Sequence, residues 1–119
     1  MNNQDMIQMT DESGDRYYFA QIPLIVTDYD MSLAAYRLYG HIKQVCGDDG
    51  TCWQSRKTLA KNCRLDLKTV TRARKELEDA RFIRVDPKYD ENGILLGHNI
   101  TIINIWRRNL EYAKAKHRK

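Results

Sequence analysis

The stretch Ser55–Val85, SRKTLAKNCRLDLKTVTRARKELEDARFIRV, constrains the fold more than any other part of this chain. Ser55 can accept hydrogen bonds from the free amides of a helix start, and the RKTLAKNC that follows sets Leu59, Ala60 and Cys63 on one side. That helix is barely two turns long. Asp66 is a second good cap, and from Leu67 to about Ala80 the residues Val70, Ala73 and Leu77 recur on one helical stripe. After Ala80 the residues turn abruptly into a β-branched run, so the chain must place two short helices and a strand in close succession.

The flanking segments supply the remaining elements. Leu33, Tyr36, Leu38, Tyr39, Ile42 and Val45 recur at helical spacing, Asp30 or Ser32 can cap their start, and Gly47 can end the helix. Upstream, YYFAQIPLIV from Tyr17 to Val26 is aromatic and β-branched, and Pro23 restricts it to an edge strand. TCW, Thr51–Trp53, reads as a short strand. Phe82–Tyr89 and Ile94–Ile105 read as the two strands of a hairpin turned at Asn92-Gly93. The end, from Trp106 on, spaces Trp106, Leu110 and Ala113 as a helix.

The expected order is thus strand, helix, short strand, helix, helix, strand, strand, helix. This is an α+β fold, mainly α: a three-helix core, a small antiparallel sheet and an extra C-terminal helix. Residues 1–16 are expected to be a flexible acidic tail, 17–105 the folded domain, and 106–119 a basic helix or tail.

At this point a resemblance becomes visible. Ser55–Arg84 resembles the winged helix-turn-helix pattern, in which Ser-x-x-x-Leu-Ala opens the first helix of the motif. A Thr-Val step then starts the recognition helix, and a Leu-Glu pair precedes the first wing strand. Ser55, Leu59, Ala60, Thr69, Val70, Leu77, Glu78, Phe82 and Ile83 occupy those places. The flanking AQIPLIVTD and MSLAAYRLYGHIKQVCGDDGTCWQS extend the likeness to the N-terminal domains of phage and plasmid replication initiator or replisome-organiser proteins. Two departures stand out: Arg64 holds the turn position, and Arg81 the position closing the recognition helix, where that pattern carries glycine. A left-handed backbone at either place costs a non-glycine residue on the order of 1 kcal/mol.

Charge points the same way. Residues 1–30 hold one Arg against six Asp/Glu, a net −5, and residues 31–119 hold the rest of a chain whose total is +4, a net +9. A basic folded part favours a polyanionic partner. No apolar run is long enough for a bilayer and no signal segment opens the chain, so a cytoplasmic protein without a membrane partner is expected. Cys46, Cys52 and Cys63 form no CxxC pair, and with His41 they match no common zinc spacing. They read as reduced core thiols, with no metal or other cofactor. There is no Gly-rich phosphate loop or nucleophile elbow, and His41, His98 and His117 are scattered, so neither an enzyme nor a small-molecule substrate is expected.

If Val70, Ala73 and Leu77 face the core, Lys68, Arg72, Lys75 and Asp79 project from the opposite face, flanked by Thr69, Thr71 and Glu76. In helix-turn-helix proteins the amino-terminal part of this second helix enters the major groove of double-stranded DNA. Lys68, Thr69, Thr71, Arg72 and Lys75 are therefore the expected contacts, with Ser55, Arg56 and Lys57 holding a phosphate at the preceding helix start. Arg74 and Arg81 lie toward the core side of the wheel and are left out. The competing reading is a solvated face of i,i+4 pairs, Arg72 with Glu76, Lys75 with Asp79 and Arg74 with Glu78. Against it, the bases crowd the amino-terminal half and the acids the carboxy-terminal half, opposing the macrodipole. The wing is acidic at Asp86, Asp90 and Glu91, leaving Lys88 or Asn92 as minor contacts at most.

Sequence-specific DNA binding through helix 67–80 is the function expected, in phage or plasmid replication initiation, with replication proteins as possible partners. The alternatives are a transcriptional regulator and a winged-helix protein-interaction module. If the chain forms a homodimer, the first strand and last helix are the candidate contacts.

Overall fold

The computed structural model describes residues 6–13, 20–46 and 54–117. Five helices and a hairpin follow one another: α1 Leu24–Thr27, α2 Leu33–Cys46, α3 Arg56–Cys63, α4 Leu67–Asp79, β1 Ile83–Tyr89, β2 Leu95–Ile102 and α5 Trp106–Lys116. β1 and β2 pair antiparallel from Ile83 opposite Ile102 to Tyr89 opposite Leu95, with an irregularity between Lys88 and Tyr89. Gly93, at φ 80°, takes the left-handed turn between them. This is the winged helix-turn-helix α+β fold, with a two-stranded sheet among the described residues.

The core lies where α2, α3 and α4 meet the root of the hairpin. Leu38, Tyr39 and Ile42 of α2 pack with Leu59 and Cys63 of α3, and with Val70, Ala73 and Leu77 of α4. Phe82 and Ile83 close one end, and Ile105 enters from the segment before α5. The Phe82 ring meets Tyr29 and Tyr39 edge-on, at centroid distances of 4.9 and 6.3 Å. Burial pushes the Tyr39 hydroxyl up to about 12. Cys46 and Cys63 are buried thiols, as small core residues should be.

Both arginines in glycine places adopt the left-handed conformation, Arg64 at φ 58° and Arg81 at φ 61°. Each turn carries its own compensation. The Arg64 and Leu65 amides return to Lys61 and Ala60 carbonyls, and Arg37 of α2 donates to the Cys63 carbonyl at 2.6 Å. At the second turn, Arg108 of α5 donates to the Arg81 and Ala80 carbonyls at 3.0 and 3.2 Å, and lies 5.0 Å from the Phe82 ring centroid. α4 has no basic residue in its own last turn. Arg108 supplies that cation from α5.

One expected element is corrected. Leu24–Thr27 forms a helical turn, not part of an edge strand. The Val26 and Thr27 amides return to the Pro23 carbonyl, and the Ile25 amide is taken by Asn109 Oδ1 of α5 at 2.9 Å. Tyr17–Phe19, the expected strand Thr51–Trp53 and Gly47 lie outside the described residues, as do residues 1–5 and 14–16 of the acidic tail. Residues 6–13 are exposed and without regular structure.

The inner face of α5 is also tied to α1. Asp28, just after α1, accepts from the Tyr112 hydroxyl at 2.8 Å and from Lys116 Nζ at 2.6 Å. The Lys116 hydrogen bond, then that of Tyr112, holds the Asp28 carboxyl below the ordinary carboxylate range, and the same contact raises Lys116.

Two outcomes follow. Arg108→Ala should lower stability to chemical denaturation by about 1–3 kcal/mol, because two terminal carbonyls and the Phe82 face lose a charged partner. Arg108→Lys should restore only part, since an ammonium cannot span both carbonyls. An unchanged midpoint for Arg108→Ala would show that α5 does not hold the α4 end. For Asp28, a folded pKa below the unfolded one means a contribution present above the ordinary carboxylate range and lost as pH falls through it. The Tyr112 ring resonances should therefore shift on acidification below about pH 4, and Asp28→Asn should show the shifted position already at neutral pH.

Candidate nucleic-acid interface

The interface is built on the faces that the core leaves outside. Asp66 caps α4 by accepting from the Thr69 amide at 2.7 Å. Its carboxyl is held low by the Thr69 hydroxyl and amide first, then by Arg72 and Lys68. Ser55 caps α3 by accepting from the Thr58 amide at 3.0 Å, and its Oγ lies 2.9 Å from the Thr58 hydroxyl. The hydroxyl of Ser55 is therefore a cap, one of the two roles the sequence left open.

With Val70, Ala73 and Leu77 buried, Lys68, Arg72 and Lys75 stand exposed on the outer face of α4. Thr69 and Thr71 are half-buried beside them, and the Thr71 hydroxyl donates to the Leu67 carbonyl at 3.0 Å. Arg56 and Lys57 are exposed in the first turn of α3. Neither helix has an acid in its first turn. The amino ends of α3 and α4, each with a partial positive charge, thus carry Arg56, Lys57 and Lys68.

The i,i+4 pairs that a solvated face would require do not form. Among the described residues, no salt bridge joins a cation of α4 to an acid of the same helix; those present include Arg84 with Asp86 and Lys116 with Asp28. Glu76 has turned away from Arg72. Its carboxylate accepts from the Ser32 amide at 3.0 Å and from the Ser32 hydroxyl at 2.5 Å, while Ser32 Oγ accepts from the Ala35 amide at 3.1 Å. Ser32, the cap of α2, thereby fastens α2 to α4.

A groove of about 730 Å³ runs between the α3 start, α4 and the wing. Ser55, Arg56 and Thr71 line one side, Lys88 and His98 the other, over an apolar floor that includes Leu59, Val70 and Ile100. Arg74 also lines it, and its buried Nε has no hydrogen-bond partner. Arg74, left out of the expected contacts because it lies toward the core side of the wheel, turns to the groove. Its position three residues after Thr71 was the available signal. That the wing folds back opposite it is a tertiary fact. Lys88 shares the groove; Asn92 sits in the hairpin turn, its amide donating to Asp90 at 2.8 Å.

Of the C-terminal cations, Arg108 and Lys116 are engaged within the chain, while Arg107 and Lys114 are exposed. Among the described residues no helix is long and apolar enough to cross a membrane.

No curated protein sequence matches this chain. Residues 29–83, from just before α2 to the first residue of β1, match the family model of a helix-turn-helix domain.

Proposed function

We propose that the chain binds double-stranded DNA sequence-specifically, with the amino-terminal half of α4 in the major groove. The observation that carries this reading is the set of exposed cations, Lys68, Arg72 and Lys75, without salt bridges to their own helix, with Glu76, the i+4 partner of Arg72, committed to Ser32. Arg72 and Lys75 reach base edges and Lys68 a phosphate or base near the helix start. Thr69 and Thr71 offer methyl groups and lone pairs, the Thr71 proton being held by Leu67. Ser55, Arg56 and Lys57 position the backbone at the α3 amino end. Arg74 and Lys88 extend this positive path along the groove toward the wing.

The role that best fits the resemblance of the flanking segments is replication initiation on phage or plasmid DNA, with replication proteins as further partners. Transcriptional regulation uses the same interface, and self-association through α5 would suit either. A protein-interaction module is a second reading, favoured by the exposed Tyr89, Ile94, Leu95 and Leu96 of the wing.

Fluorescence anisotropy with duplex DNA across a salt series separates these readings. The triple variant Lys68→Ala, Arg72→Ala, Lys75→Ala should keep its helical circular dichroism, bind far more weakly, and lose roughly one unit of log–log salt slope for each phosphate contact removed. Equal binding by both proteins would remove α4 from the interface. Absence of binding by either at low salt would leave the protein-interaction reading.

A further inference from the structure

Two apolar features outside the α4 face match each other. At the wing tip Tyr89 is 58% exposed, Ile94 61% and Leu96 62%. Asp90 and Glu91 stand beside them at the turn, and Asp90 accepts from the Asn92 and Ile94 amides at 2.8 Å each, which fixes the shape of the tip. A carboxylate-edged apolar tip is poorly suited to a phosphate backbone.

At the other end of the hairpin a cleft of about 540 Å³ lies between the Pro23–Leu24 segment and the start of α5. Its walls include Ile22, Leu24, Ile103 and Trp106, the last 67% exposed, with Lys43 at its edge. Lys43 makes no salt bridge among the described residues. The tip is apolar and edged by Asp90 and Glu91, whereas the cleft is concave, apolar and edged by Lys43.

These features cannot meet within one molecule. Eight residues of β2 separate them, about 27 Å at strand rise. We propose that the wing tip of one copy docks in the cleft of a second, with Tyr89 and Ile94 against Trp106 and Leu24, and Glu91 facing Lys43. The two surfaces differ, so the contact is heterologous: each copy keeps a free tip or a free cleft, and assembly runs head to tail. This inference is independent of DNA binding, since none of its residues lies on α4.

Sedimentation velocity without DNA tests it. Wild-type protein should sediment progressively faster from about 10 µM to about 1 mM, the range in which a small interface assembles. A tip variant, Tyr89→Lys with Ile94→Lys, and a cleft variant, Lys43→Glu with Trp106→Glu, should each remain monomeric. Mixed one to one, they should form a dimer and stop there, because one intact tip meets one intact cleft. A monomeric mixture, a monomeric wild type, or either variant assembling as the wild type does would overturn the proposal. A second pair guards against unfolding. Glu91→Lys and Lys43→Glu should each weaken assembly, and together in one chain restore it; failure of that restoration also overturns the proposal.

Discussion

The packing of α4 on α2 is the constraint on which the rest of this protein depends. Burying Val70, Ala73 and Leu77 against Leu38, Tyr39 and Ile42 fixes the rotation of α4, and with it which side chains reach solvent. Ser32 locks that rotation by donating two hydrogen bonds, from its amide and its hydroxyl, to the Glu76 carboxylate. A single acid thereby orients the helix and withdraws the intrahelical partner that Arg72 would otherwise have. The exposed charge of α4 is a consequence of how the helix is anchored.

The same economy of parts appears at the helix ends. A stable isolated α4 would carry acids first and bases last, yet it has no acid in its first turn and no base in its last. The amino end relies on the Asp66 cap, and the carboxyl end on Arg108 delivered from α5. Cations at the amino end of α4 are thus tolerated because distant residues supply what the helix lacks. α5 also holds the first turn of α1 through Asn109, so removing it would loosen the fold at two places.

Local chemistry was legible in the sequence; chemistry arriving from far along the chain was not. The caps Ser55 and Asp66, the stripe of α4, the hairpin turn at Gly93 and the left-handed turns at Arg64 and Arg81 all follow from neighbours a few residues away. The helical turn at Leu24–Thr27 was missed because its aromatic and β-branched surroundings favour a strand, while the group that takes the Ile25 amide is Asn109, 84 positions on. The i,i+4 partners expected for Arg72 and Arg74 fail for the same reason. Ser32 competes for Glu76 across a helix interface, and the wing encloses Arg74 from outside its own helix. Of the eight residues expected as DNA contacts, Ser55, Arg56 and Thr71 line the groove together with Arg74, while Lys57, Lys68, Arg72 and Lys75 stand exposed outside it and Thr69 is half-buried.

The proposed DNA-binding face joins α4 to the amino end of α3. An NMR titration of the labelled protein with a short duplex tests it residue by residue. Amide shifts should concentrate at Ser55–Lys57 and Lys68–Lys75, with smaller changes at Lys88 and little at α5. Shifts confined to the wing tip and α5, with α4 silent, would contradict it.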